Sequence, residues 1–306
     1  MSGERRKKAS FCAALWCVCC GTRIFPVLCG HSTARTLWHL FLMSLVAGGV
    51  ILAGIRGRFD AELAGCRRDF SAAFGRSVRI SAQGIVPERR PPVPFFMSLP
   101  SKGGLFYTAD GKGVGFPPGF CDRHLYFFVW SDTLLAAATR SRDGDWQIQL
   151  VDPVRNVRIV RADGKDVPAL FAAELRRGAS GWKYPVMVVS TEDIFKFAGI
   201  FTLTMIFLTE FLGCLLLALV CTGCFALFSR FTGAAALRGL TAGAYWRIGV
   251  YAGFPGMLIG GLCEWLRLPY LSYGIVYSAA LVLYWLPASL ACIDGGGGGD
   301  GAPEDA

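Results

Sequence analysis

Long apolar runs constrain this chain more than any other feature. Residues 36–55 (TLWHLFLMSLVAGGVILAGI) carry no formal charge, and Arg35 and Arg56 flank them. A helix of 20 residues spans about 30 Å, the thickness of the hydrocarbon core of a bilayer. Three further runs cover residues 194–228, 245–263 and 270–293. The pattern predicts an integral membrane α-helical protein with four transmembrane helices.

The second run is 35 residues long and is interrupted only by Lys196 and Glu210. Dividing it would give two pieces of about 16 residues, which is below the usual minimum for a span. We therefore expect one helix, from about residue 197 to 220, that continues into the cytoplasmic interface.

The overall composition supports a membrane protein. Apolar residues make up 53 % of the 306 residues and charged residues only 17 %. This balance excludes a disordered chain and argues against a nucleic-acid partner, because the net charge of +9 also suits a membrane surface. Twelve cysteines are too few to indicate a disulfide scaffold.

The distribution of basic residues in the short flanks predicts the orientation. Residues 1–35 contain six Lys or Arg and one acid, and the loop between the second and third spans carries Arg230, Arg238 and Arg247 and no acid. Both segments are therefore expected in the cytoplasm, with four spans between and beyond them. Residues 56–193 are expected outside, where their length exempts them from the charge rule.

The two ends of the chain differ from its spans. Residues 1–35 form a basic, Cys-rich segment, predicted to lie at the cytoplasmic interface. A cleaved signal peptide is the alternative, but no A-x-A-like site follows the apolar stretch 9–20. The acidic, Gly-rich residues 294–306 are predicted to be disordered.

The exported segment predicts a small α+β domain built on an antiparallel sheet. Residues 60–74 have the spacing of an amphipathic helix, and residues 167–177 that of a shorter one. Asp-Gly pairs favour type I′ hairpin turns; they occur at 110–111, 143–144 and 163–164. Predicted strands cover 95–99, 105–108, 125–130, 133–139, 146–151, 157–160 and 186–189.

Glu210 is the sharpest candidate for chemistry inside the membrane. An ionisable residue at mid-span costs about 2.5–3.5 kcal/mol, so it is expected to face protein or water. One interpretation is a proton or ion relay. The other is a protonated side chain bonded to a neighbouring helix, and its candidate partners are Thr202, Thr209, Tyr251 and His39.

Two CxxC pairs lie at the predicted cytoplasmic face. Cys17 with Cys20 and Cys221 with Cys224 offer four thiolates, the ligand set of a tetrahedral zinc site or a redox centre. Their apolar surroundings favour the alternative that they are small buried hydrophobes. Lipidation of the N-terminal cysteines is a further open alternative.

Cys66 and Cys121 are the two cysteines of the exported segment, where an oxidising compartment permits a disulfide. Cys121 also lies close to His124, which suggests a nucleophile with a base. The chain has no G-x-S-x-G, H-E-x-x-H or Walker motif. No catalytic residue and no cofactor are therefore predicted.

Arginines are frequent at the membrane-proximal end of the exported segment and recur every third residue near one of its predicted strands. It contains 20 basic residues and 15 acids, which indicates either contact with anionic headgroups or an anionic polymer, or a solvated surface. In the first case, the arginines that we expect to contact an anion are Arg67, Arg68, Arg76, Arg79, Arg89, Arg90, Arg155, Arg158 and Arg161.

Small residues recur every three or four positions in the third span. Gly249, Gly253, Gly256 and Gly260 favour close helix packing, and Pro255 and Pro287 predict kinks.

Three short segments carry a resemblance to a known family. They are residues 244–255 (AYWRIGVYAGFP), 191–199 (TEDIFKFAG) and 108–112 (TADGK). In these the chain resembles an uncharacterised family of bacterial multi-pass membrane proteins, some of which are described as maltodextrin-utilisation membrane proteins. The resemblance implies one N-terminal span, an extracytoplasmic domain and a C-terminal cluster of spans. It implies no catalytic residue.

The sequence favours a non-enzymatic membrane protein whose exported domain binds or senses an envelope component or supports a membrane complex. The expected partners are the lipid bilayer, a membrane protein or a second copy of the chain, and an anionic envelope component. The alternatives are a small transporter or channel component related to sugar uptake that uses Glu210, and an envelope enzyme built on Cys121 and His124.

Overall fold

The computed structural model divides the chain into two compact units. The helical unit comprises Met1–Gly57 and Thr202–Ala306, and the sheet unit comprises Arg58–Phe201. The structure describes residues 9–81, 84–100, 102–108, 123–132, 135–141, 143–152, 156–162, 166–167, 169–171, 173, 186–232 and 240–294.

Among the described residues, five helices, α3 to α7, carry the four apolar runs, and two shorter helices precede them. Two of them, α3 and α4, are 42 residues long, and the part of each that lies beyond the helical unit belongs to the sheet unit. The helices are α1 (Phe11–Cys20), α2 (Phe25–Cys29), α3 (Thr33–Phe74), α4 (Thr191–Thr232), α5 (Ala242–Ala252), α6 (Phe254–Leu266) and α7 (Tyr273–Asp294).

Three of the described helices are long and apolar enough to cross a membrane. They lie over Thr33–Phe74, Thr191–Ser229 and Tyr273–Ile293. This confirms the predicted class of membrane protein. The second apolar run forms one continuous helix with Glu210 inside it, and α7 continues through Pro287.

The predicted third span is not one helix, so the count of four long helices is not confirmed. It is divided into α5 and α6, of 11 and 13 residues, with Gly253 between them. Pro255 lies in the first turn of α6, where its missing N–H needs no partner. A helix continuing through this position would place the proline ring against the carbonyl of Tyr251.

Glycines let α6 approach α7 closely. A Cβ atom on Gly256 would lie 2.9 Å from the Cβ of Ala280, and one on Gly260 would lie 2.9 Å from the Tyr273 ring. The core of the helical unit also contains Met43 of α3 and Leu281 of α7, both fully buried.

The sheet unit contains a six-stranded and a three-stranded sheet. The order of the larger sheet is β3-β4-β5-β6-β7-β8, and that of the smaller is β2-β1-β9. The strands are β1 (Ser77–Ser81), β2 (Gly84–Pro87), β3 (Phe95–Leu99), β4 (Gly103–Thr108), β5 (Tyr126–Ser131), β6 (Leu135–Arg140), β7 (Trp146–Asp152), β8 (Asn156–Ala162) and β9 (Met187–Ser190).

The sheet-rich region is antiparallel, as predicted, except where β4 pairs parallel with β5. The Asp143-Gly144 pair lies in a hairpin, but the turn is not type I′. The Ser141 amide donates to the Asp145 carbonyl at 2.7 Å, and the Gly144 amide donates to the Ser141 carbonyl at 3.1 Å. Asp143 and Gly144 are therefore the last two residues of this turn and not its two central residues, and Gly144 takes a φ of 92°. The other two Asp-Gly pairs lie outside the described residues.

Each face of the larger sheet has its own apolar core. All six residues of β4 are buried; Phe106 contributes to one core, while Leu105 and Tyr107 contribute to the other. Val167 and Phe171 join the first core from the predicted second helix, whose described residues are helical. Phe70 and Phe74 of α3 join the second core.

The chain enters and leaves the strand region at neighbouring points. β1 and β9 pair antiparallel, with Ser77 opposite Ser190. At the start of α4 the Thr191 amide donates to the Arg76 carbonyl at 2.8 Å, and its hydroxyl donates to the Gly75 carbonyl at 3.0 Å.

Candidate functional site

Residues 58–90 of the sheet unit are rich in exposed arginine, and we call them the arginine segment. It carries seven arginines and four acids. All seven arginines are exposed: Arg58, Arg67, Arg68, Arg76, Arg79, Arg89 and Arg90. They extend from the end of α3 through the β1–β2 hairpin. The side chains of Arg155, Arg158 and Arg161 lie outside the description.

Backbone contacts fix the shape of the arginine segment. The Glu88 carboxylate accepts from the Arg76 amide at 2.8 Å and from the Ser77 hydroxyl at 3.1 Å. These hydrogen bonds, that of the Arg76 amide foremost, lower the pKa of Glu88. The Arg89 amide donates to the Phe74 carbonyl at 2.9 Å. The hairpin is thereby held against the end of α3.

The arginines differ in their acidic partners. Arg90 forms an ion pair with Asp132, and Arg67 approaches Glu192 at 3.8 Å. Within the described part of the chain, no carboxylate forms an ion pair with Arg68 or Arg79. Their charges are therefore available to an external anion.

A cavity of about 270 Å³ lies between α3 and the start of α4. Two acids and two bases line it, so their charges cancel and the cavity does not favour an anion. Its lining residues are Asp60, Leu63, Ala64, Arg67, Glu192, Phe195 and Lys196.

Glu210 is half-buried in α4. Among the described residues, none of its four candidate partners hydrogen-bonds to it. Thr209 donates to the Met205 carbonyl at 2.9 Å, and Tyr251 contacts His39 instead. The structure therefore does not bring the predicted relay residue and its candidate partners together.

A buried polar cluster of the helical unit was missed by the sequence analysis. The hydroxyl of Tyr251 lies 2.8 Å from His31 Nδ1 and 3.0 Å from His39 Nδ1. All three side chains are buried. Because the hydroxyl has one proton, it can donate to only one of the two imidazoles at a time. We call these residues the histidine–tyrosine cluster.

Aromatic rings and arginines surround the histidine–tyrosine cluster. Phe11 meets the His39 ring edge-on at 5.7 Å, and Phe254 meets Tyr251 at 5.2 Å. Arg35 donates to the Ala9 carbonyl at 2.7 Å, and Arg247 donates to the Cys29 carbonyl at 2.8 Å. One signal for the cluster was present in the sequence: His39 is a polar residue inside an uncharged span.

The structure does not gather the two CxxC pairs into one site. Cys17 and Cys20 lie in α1, and Cys221 and Cys224 lie in α4. In the described ranges, no three His, Cys, Asp or Glu residues are close enough to share a metal ion. The predicted four-thiolate set is therefore not formed by these residues.

The structure describes two of the three remaining candidate residues, Cys66 and His124. Cys66 is a buried free thiol in α3 that donates to the Ser98 carbonyl at 3.7 Å. His124 is half-buried just before β5. Cys121 lies outside the described residues, and with it both the predicted disulfide and the predicted Cys–His pair.

A different pair of thiols is in contact. The Sγ atoms of Cys29 and Cys292 are 2.9 Å apart, although 263 positions separate the two residues. Their spacing in the sequence gave no signal for this contact.

These features define a membrane protein with three long apolar helices and a separate sheet-rich region. The chain matches no protein-family model, no curated protein and no solved structure.

Proposed function

We propose that this is a non-enzymatic bacterial inner-membrane protein whose sheet unit lies outside the membrane and binds or senses an anionic component of the envelope. The observation that carries the proposal is the arginine segment, with seven exposed arginines and four acids. Exposed charge of one sign raises the local concentration of an oppositely charged ligand.

The proposal includes a topology with four crossings. In it, α5 and α6 together form the third crossing, and both termini are cytoplasmic. The basic residues of 1–35 and 229–244 support this orientation. We also propose that the chain belongs to the family of bacterial multi-pass membrane proteins that three of its segments resemble. It assembles with another membrane protein or with a second copy of itself.

The experiment uses the full chain in nanodiscs of zwitterionic lipid, titrated with soluble polyglycerol phosphate. We expect binding that weakens with salt, because exposed charges are screened. Charge reversal by Arg68→Glu with Arg79→Glu is expected to weaken it further. Each arginine near an anionic surface contributes about 1 kcal/mol, or roughly fivefold in affinity.

Arg123→Glu with Arg140→Glu is the matched control, since it makes the same change of charge at two exposed arginines outside the arginine segment. An equal loss of binding in the control would show that net charge alone is responsible. Dextran, a neutral polymer, should not bind. Absence of polyglycerol phosphate binding at low salt would contradict the proposal.

Transport through Glu210 is the second candidate function. A half-buried carboxyl in an otherwise apolar helix favours it. In vesicles that enclose a pH-sensitive dye, Glu210→Gln should abolish proton flux while the protein remains folded. Flux that is unchanged by this substitution would remove the candidate.

A further inference from the structure

The side chains of Cys29 and Cys292 bring two distant helices of the helical unit into contact. Cys29 ends α2 and Cys292 lies in the last turn of α7. Cys29 is half-buried, whereas Cys292 is 7 % exposed, so the two thiols differ in their access to solvent. We propose that a hydroperoxide oxidises this pair to a reversible disulfide that fastens α2 to α7.

The surroundings of Cys29 suit the thiolate that attacks the peroxide. The Cys292 thiol, in contact at 2.9 Å, lowers the pKa of Cys29 by hydrogen bonding; burial opposes this shift, and the charge of Arg247 adds to it. Arg247 is fixed there because its Nε donates to the Cys29 carbonyl. Cys292 is the more buried thiol and acts as the resolving partner.

The reaction balances with one peroxide molecule. The Cys29 thiolate attacks a peroxide oxygen, the O–O bond breaks and an alkoxide or hydroxide leaves, which gives a sulfenic acid. Cys292 then attacks the sulfur of Cys29, the S–S bond forms, and the S–O bond breaks. The departing hydroxide takes the thiol proton as water. The two thiols supply two electrons, and a dithiol reductant returns them.

The two CxxC pairs do not support a disulfide between different helices. Cys17 and Cys20 are in α1 and Cys221 and Cys224 are in α4, so a bond within either pair would link a helix to itself. A bond between Cys29 and Cys292 closes a loop over most of the chain. Under the proposed topology the pair faces the cytoplasm, where thiols are kept reduced and a disulfide is transient.

The experiment uses the full chain in detergent, with a recognition sequence for a site-specific protease inserted in the exposed Asp143-Gly144 turn. After peroxide treatment, thiol blocking and cleavage, the two fragments should remain joined on a non-reducing gel. Dithiothreitol should separate them. Mass spectrometry should find the peptides of Cys29 and Cys292 linked, with the loss of two hydrogens.

Cys29→Ser and Cys292→Ser should each abolish the joined species, and Cys29→Ala repeats the first test with a smaller side chain. The matched control, Cys221→Ser with Cys224→Ser, should retain it. Joined fragments in either single variant, or none in the peroxide-treated natural sequence, would overturn the proposal. So would a bond already present in untreated cells. None of these results depends on whether the sheet unit binds an anion.

Discussion

At the scale of single residues, Tyr251 is a fully buried polar side chain of the helical unit. Its one hydroxyl contacts two buried imidazoles. Tyr251→Phe removes both contacts and leaves polar ring atoms in an apolar core. We expect a loss of about 1–3 kcal/mol in the free energy of unfolding, because buried polar atoms are costly when a partner is removed.

Thermal unfolding of the full chain in one detergent measures this loss. Tyr270→Phe provides the control for the same chemical change, since Tyr270 is 94 % exposed. The control should unfold like the natural sequence. Equal unfolding temperatures for the two variants would mean that the hydroxyl of Tyr251 contributes nothing to stability.

Glu88 gives the sheet unit a dependence on pH. Its pKa is lowered in the folded protein, foremost by the Arg76 amide, so the unfolded chain binds more protons at acidic pH. The stabilising effect is present above the ordinary pKa of Glu, about 4.3, and is lost as the pH falls through the folded value. Glu88→Gln should remove this dependence.

Hydrogen exchange at the Arg76 amide tests the Glu88 prediction. Acidification should reduce protection in the natural sequence more than in Glu88→Gln, when rates are compared at the same pH. Identical pH profiles in the two proteins would contradict the linkage.

At the scale of secondary structure, the contact between α6 and α7 depends on glycine. A side chain on Gly256 would meet Ala280 and the backbone of Tyr277 at 2.9–3.2 Å. Gly256→Leu should therefore separate the helices and lower the free energy of unfolding by about 1–3 kcal/mol, the usual effect of overpacking.

Gly213→Leu is the control for the α6–α7 prediction. Gly213 lies in α4, and a Cβ atom there would meet nothing within 4 Å. Thermal unfolding should distinguish the two variants clearly. If Gly213→Leu is as destabilising as Gly256→Leu, the close approach of α6 to α7 does not explain the loss, because leucine is the better helix former at both positions.

The sequence predicted those secondary-structure elements that a single local pattern determines. The apolar runs predicted α3, α4 and α7, because length and hydrophobicity are sufficient to identify a membrane span. Pro255 was expected to kink the third span, but whether a helix bends or stops depends on packing around the proline.

The β1–β2 hairpin was missed although Val78 and Arg79 alternate between buried and exposed. The parallel β4–β5 pair depends on a distant partner, which no local pattern specifies.

The candidate sites were predictable to different degrees for the same reason. The arginine segment is continuous in sequence, so its charge could be counted directly. The histidine–tyrosine cluster and the Cys29–Cys292 contact join residues more than 200 positions apart. Their members are single residues in unrelated helices, and only tertiary packing brings them together.

At the scale of the whole molecule, the proposed number of crossings has a direct test. Fusions of alkaline phosphatase and of a fluorescent protein after residues 30, 120, 235 and 300 report the side of each position. Four crossings place 30, 235 and 300 in the cytoplasm and 120 outside. If α5 and α6 enter and leave by the same face, position 300 will report outside, opposite to 235.

The pairing of β1 with β9 has a consequence for how such a protein can be re-engineered or diversify. The strand region begins and ends at adjacent residues, with Ser77 beside Ser190, and Thr191 at the start of α4 donates hydrogen bonds to the carbonyls of Gly75 and Arg76, which follow α3. The residues between Ser77 and Ser190 therefore form an insertion whose two ends are held together by the β1–β9 pairing. A foreign module with neighbouring termini can be grafted there, and the two helices that carry it need no change in length or register.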